Sequence, residues 1–104
     1  MEVLFFNTKV EEFLSNLEAP TIAKVIKTIE LLETFGIRLS MPYTKYLGGK
    51  MFELRIKGKE EIRILYVFDR DTVVLLHAFK KKSNKTPKKD MLLGRYRLAS
   101  IDLI

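Results

Sequence analysis

A chain of 104 residues, 47% hydrophobic and 31% charged, has the make-up of a single folded domain over residues 1–104 and is too apolar to be disordered. With no cysteine and one histidine, disulfides, structural zinc and thiol catalysis are excluded, and neither a cofactor nor a metal is expected. No apolar run approaches the roughly 20 residues of a membrane span, and Met1-Glu2-Val3 opens without a basic segment, so no membrane partner and a cytoplasmic location are expected.

Taken in chain order, Val3 to Phe6 is a short apolar run that reads as a buried first strand. Thr8 follows as a helix cap, with Glu11 three residues on to complete a capping box, and Val10, Phe13, Leu14 and Leu17 form an apolar stripe that ends before Pro20. A second helix opens at Pro20 and carries Ile22, Val25, Ile26, Ile29 and Leu32 up to Gly36. Residues 37–50 read as a loop, with a brief extended piece around Tyr43 to Leu47.

From Met51 the period changes to two. Phe52, Leu54 and Ile56 face one way, and Glu53, Arg55 and Lys57 the other. Past a turn at Gly58-Lys59, the run from Glu61 to Phe68 alternates again, placing Arg63 opposite in sense to Ile62 and Ile64. Asp69-Arg70-Asp71 closes a second hairpin, and Thr72 to Phe79 is apolar enough for a central strand, with His77 expected on the face of Val73 and Leu75. Thr86-Pro87 reads as the opening of a last helix with a stripe of Leu92, Leu93, Tyr96 and Ala99, which places Tyr96 in the core. The expected fold is α+β: two N-terminal helices on a mostly antiparallel sheet of about four strands, plus a C-terminal helix.

Lysine and arginine number 19 against 13 acids, for a net charge of +6. Lys80, Lys81, Lys82, Lys85, Lys88, Lys89, Arg95 and Arg97 lie in one stretch beside a single acid, Asp90, and leave the rest of the chain near neutral. A near-neutral scaffold with one cationic end suits docking on a polyanion, and a solvated lysine face kept for solubility is the alternative. Phosphate-binding loops, nucleotide-binding glycine fingerprints and Ser-His-Asp patterns are absent from the sequence. Arg55 and Arg63, outward on adjacent strands, offer two planar donor forks matched to phosphate oxygens, and an ion pair of Arg55 with Glu53, Glu61 or Asp69 is the competing reading. The lysines at 80–82 emerge where the apolar strand ends. Mutual repulsion in such a run lowers a lysine's proton affinity towards the range a base needs.

The helix pair, then Gly49-Lys50-Met51-Phe52-Glu53-Leu54-Arg55, then Arg63-Ile64-Leu65-Tyr66, then Leu75-Leu76-His77-Ala78-Phe79-Lys80-Lys81-Lys82-Ser83-Asn84-Lys85-Thr86-Pro87, resembles the phage-derived HigB branch of the RelE/ParE toxin superfamily over nearly the whole chain. The resemblance implies the toxin of a type II toxin–antitoxin pair, a ribosome-dependent, metal-independent mRNA endonuclease. Its implied partners are a helix-turn-helix, HigA-like antitoxin and the ribosome with its mRNA. By the same resemblance Arg63 matches the strand arginine that contacts the scissile phosphate, and Arg55 a basic position one strand earlier. Lys82 falls where relatives carry an arginine, keeping the charge without the fork. His77 joins these as a candidate proton carrier, and Lys57, Lys80, Lys81, Lys85 and Lys88 as RNA contacts. A gyrase inhibitor of ParE type and a noncatalytic RNA-binding or complex-forming protein are the rival readings.

Overall fold

The computed structural model describes residues 1–82 and 86–101. Its five strands, β1 (Glu2–Phe5), β2 (Thr44–Gly48), β3 (Met51–Ile56), β4 (Ile62–Asp69) and β5 (Thr72–Lys80), form one sheet in the order β1-β5-β4-β3-β2. Only β1 runs parallel to its neighbour. Helices α1 (Thr8–Ser15) and α2 (Ala19–Phe35) cover one face of the sheet, and α3 (Lys88–Ala99) packs on the other. The α+β fold expected from the sequence is the fold observed, with one strand more than expected. The brief extended piece near Tyr43 is a full strand, with Thr44, Lys45 and Tyr46 paired opposite Leu54, Glu53 and Phe52.

Hydrophobic period explains the layers. The stripe Val10, Leu14, Leu17, Val25 and Leu32 meets Leu54, Ile56, Ile62, Ile64, Tyr66, Val73 and Leu75, so every second strand residue is committed to the helix pair. Strand β5 lies between β1 and β4 and is apolar on both faces, as its composition requires. Strand β1 is a half-exposed edge and not a buried strand, with Leu4 and Phe5 open to solvent.

Local details differ from the sequence reading for identifiable reasons. Asn7 and not Thr8 caps α1: its backbone is extended and its Oδ1 accepts the Val10 N–H at 3.2 Å, while Thr8 is already helical. Helix α3 lays Met91, Gly94 and Leu98 towards the sheet, so Leu92 and Tyr96 are exposed, and Tyr96 is not a core residue. Close approach at Gly94 sets that face, since a Cβ there would stand 2.6 Å from Leu65 Cδ1. A β-bulge in β5 also shifts the register between Leu65 and Tyr66, and Leu76 is the extra residue. Leu76 and His77 therefore both turn towards α3, and His77 leaves the face it would share with Val73 and Leu75.

Candidate functional site

Arg55 on β3 and Arg63 on β4 are direct cross-strand partners, so alternation correctly places both on the α3 face. Their surroundings differ. Arg63 is 3% exposed; its Nη1 donates to Glu53 Oε1 at 2.7 Å and its Nη2 to Glu61 Oε2. Its Nε is buried with no hydrogen-bond partner among the described residues. Glu53, itself 1% exposed, also accepts the Thr86 hydroxyl on Oε2 at 2.9 Å and meets Arg55 Nε at 3.4 Å. A buried carboxylate between two guanidiniums satisfies the requirement that buried charge be paired and hydrogen-bonded.

The outward, open pair of guanidiniums expected from the sequence is thus half correct. Arg63 is held inside the protein by two carboxylates. Arg55 is partnered only through Nε, and its two terminal nitrogens donate to no group among the described residues. Glu53, Glu61 and Thr86 belong to the site although the sequence does not single them out as functional. The two glutamates read there as possible partners for Arg55, but only the strand register shows that Arg63 takes both. Thr86 does not cap α3, because its hydroxyl is spent on Glu53; the residue before the helix is Pro87, without a side-chain cap.

The strand-exit lysines divide between the two faces. Lys80 Nζ pairs with Glu60 at 2.6 Å, and Glu60 in turn accepts the Thr21 hydroxyl of α2, so Lys80 belongs to the helix-pair side, away from Arg55 and Arg63. This pairing raises the proton affinity of Lys80 and holds the Glu60 carboxyl below its ordinary value. A lysine lowered by mutual repulsion is not found at this position, because the nearest charge is opposite. Lys81 approaches Glu61 at 4.0 Å, next to Arg63, and Arg63 is the main cause of the lowered proton affinity of Glu61. Lys82 and Lys88 are exposed at either end of the segment leading into α3, and Lys57 is exposed after β3. Lys85 lies outside the described residues.

His77 Nε2 is 2.6 Å from Asp90 Oδ1 of α3, and its ring stacks on Phe79 at 5.6 Å between centroids. Asp90, the one acid of the basic stretch, therefore fixes the imidazole and leaves Nδ1 as its remaining polar atom. Arg95 and Arg97 are also structural. Arg95 donates to the Leu47 and Gly48 carbonyls at 2.9 and 2.7 Å, clamping α3 to the β2–β3 turn, and Arg97 donates to the Leu76 carbonyl at the bulge and lies over the Phe6 ring. Among the described residues, no three His, Cys, Asp or Glu side chains gather to hold a metal ion, and no helix is long and apolar enough to cross a membrane.

The site is an ion-pair base, Glu53–Arg63–Glu61, buried at Glu53 and Arg63 and reaching solvent at Glu61, beside the terminal nitrogens of Arg55, which are unpartnered among the described residues. Comparison with the curated proteins finds no match. The model of the phage-derived Gp49-like protein family (DUF891) matches residues 12–99, a span that takes in the end of α1, all of α2 and α3, β2 to β5 and every site residue discussed above. The chain belongs to this Gp49-like family, a family of RelE/HigB-like toxin type associated with toxin–antitoxin systems.

Proposed function

We propose that the protein is a toxin that cleaves translated mRNA on the ribosome, with Arg55 as the phosphate ligand and Arg63 as the group that positions it. The observation that carries this reading is the contrast within the cross-strand pair: Arg63 is buried with both terminal nitrogens on carboxylates, whereas Arg55 has a donor fork unpartnered among the described residues on the same face. In the proposed step, the ribose 2′-oxygen attacks the adjacent phosphorus and loses its proton. The bond to the 5′-oxygen breaks and that oxygen takes up a proton, leaving a 2′,3′-cyclic phosphate and a 5′-hydroxyl. Arg55 stabilises the growing charge on the phosphate oxygens, and Lys81 and Lys82 add positive potential. His77, oriented by Asp90, carries a proton on Nδ1. By the resemblance, a helix-turn-helix antitoxin neutralises the protein.

A second reading has one observation in its favour: Arg63 and His77 both have internal carboxylate partners, as in a toxin that acts by binding alone. Induced expression in a bacterial host, followed by mapping of transcript 5′ ends, separates the two. Codon-phased cuts that vanish with Arg55→Ala and decline with His77→Ala are expected. Growth arrest with intact messages would reject the nuclease, and broken chromosomes would point to gyrase.

A further inference from the structure

Beside the open edge of β3, where β2 has not yet begun, a cleft of about 190 Å³ runs between α2 and the strand end, lined by Lys24, Lys27, Thr28, Tyr43, Arg55 and Lys57 among others. Four of its lining residues are cations and none is an acid. Lys24, Lys27 and Lys57 are exposed, and none of the three makes an ion pair of 4.0 Å or less among the described residues. The Lys24 ammonium instead donates to the Lys57 carbonyl at 3.2 Å, which draws it towards the strand end and concentrates positive charge there. Only Arg55 of the four has a carboxylate partner, Glu53 at 3.4 Å, so the three lysines gathered in this concave site raise the energy of the free protein and a bound anion relieves that energy. Between the charges the lining is largely apolar, with Pro42 and Ile56, and the buried Thr28 donates its hydroxyl to the Lys24 carbonyl at 2.7 Å. Tyr43 stands 42% exposed at the rim.

We infer that this cleft holds a backbone phosphate of single-stranded RNA, with the neighbouring base stacked on Tyr43. The inference rests on the RNA reading above and extends it. Arg55 borders both the cleft and the buried ion-pair base, so RNA gripped by α2 lysines is led across the edge of β3 onto the site face. Lysine ammonium groups suit this task, since they bind phosphate as point charges without demanding one geometry, and an aromatic face accepts any base.

Binding of a fluorescently labelled oligouridylate, followed by anisotropy over a salt series, tests the inference with the intact chain. The double variant Lys24→Ala/Lys27→Ala is expected to weaken binding by roughly three- to tenfold and to flatten the dependence of log K on log salt by about 0.7 for each phosphate it no longer neutralises. Tyr43→Leu is expected to weaken binding with the salt slope unchanged, because stacking releases no counterion. Lys9→Ala, which removes an exposed charge from α1, should change neither. Unaltered affinity and slope in the double variant overturn the inference, as do an equal loss in Lys9→Ala, which would mean that net charge alone matters, and an absence of RNA binding by the wild type. Transcript cleavage in cells is read independently: phased cuts that persist in the double variant and vanish in Arg55→Ala, with RNA affinity unaltered in the double variant, would keep the nuclease while removing the cleft.

Discussion

Arg55 and Arg63 occupy equivalent places in a two-residue alternation, and the sequence treats them alike, yet one keeps its terminal nitrogens unpartnered among the described residues and the other is tied to Glu53 and Glu61, with Glu53 held in turn by Thr86. Period two determines which face a side chain takes. It does not determine which carboxylates meet which guanidinium, and here Glu53 reaches Arg63 from 10 positions away while Thr86, 33 positions beyond Glu53, holds its other oxygen. The two positions should therefore respond differently to truncation. Arg55→Ala is expected to abolish toxicity at a cost of about 1 kcal/mol in urea unfolding free energy, since the side chain is 18% exposed but its one ionic contact, to Glu53, is long. Arg63→Ala leaves Glu53 buried without its closest partner and is expected to lose about 3–5 kcal/mol. An Arg63→Ala protein that unfolds like wild type yet has lost toxicity would return Arg63 to direct contact with phosphate.

At the level of elements, the helix pair and the meander are legible in the sequence because their apolar spacings are regular, whereas α3 misleads because its contact face is built around a glycine. Propensity alone would favour alanine at position 94 by about 1 kcal/mol. Packing opposes it: a Cβ would stand 2.6 Å from Leu65 Cδ1 and 3.1 Å from Met51 Sδ, and both side chains are fully buried with nowhere to retreat. Gly94→Ala should therefore destabilise the protein by about 1–3 kcal/mol and lower its thermal midpoint, the reverse of the usual result at a helical glycine. An unchanged or raised midpoint would show that α3 can lift away from β4. The bulge at Leu76 is hidden for a related reason, since one inserted residue leaves composition and hydrophobicity intact and changes only which face His77 joins.

For the whole molecule, the concentration of cations near the C-terminus is the plainest signal in the sequence, and the fold redistributes it. Lys80 goes to Glu60, Arg95 and Arg97 go to backbone carbonyls, and the open basic surface extends instead to Lys24, Lys27 and Lys57, far from that stretch in the chain. The internal pairs set how stability depends on pH. Glu60 and Glu61 have folded-state proton affinities below the ordinary carboxylate value of 4.5, through Lys80 and Arg63 respectively. Such groups stabilise the fold above pH 4.5, and that contribution is lost as pH falls through their lowered values. Lys80 and Tyr66 are shifted upward from 10.5 and 10.0, Lys80 by its bond to Glu60 and Tyr66 by burial. Their contributions are complete below about pH 10 and are lost as pH rises through the raised values. Urea midpoints measured against pH should thus form a plateau between about pH 5 and pH 10 with a fall on each side. Glu61→Gln should make the acid limb shallower without moving the alkaline one, because it removes a carboxylate that must otherwise be protonated against Arg63. Tyr66→Phe should make the alkaline limb shallower and, by removing the Thr44 hydrogen bond, lower the plateau as well. An acid limb of equal steepness in Glu61→Gln and wild type would mean that the Glu61–Arg63 pair is not maintained in solution, and the enclosure of Arg63 would then rest on Glu53 alone.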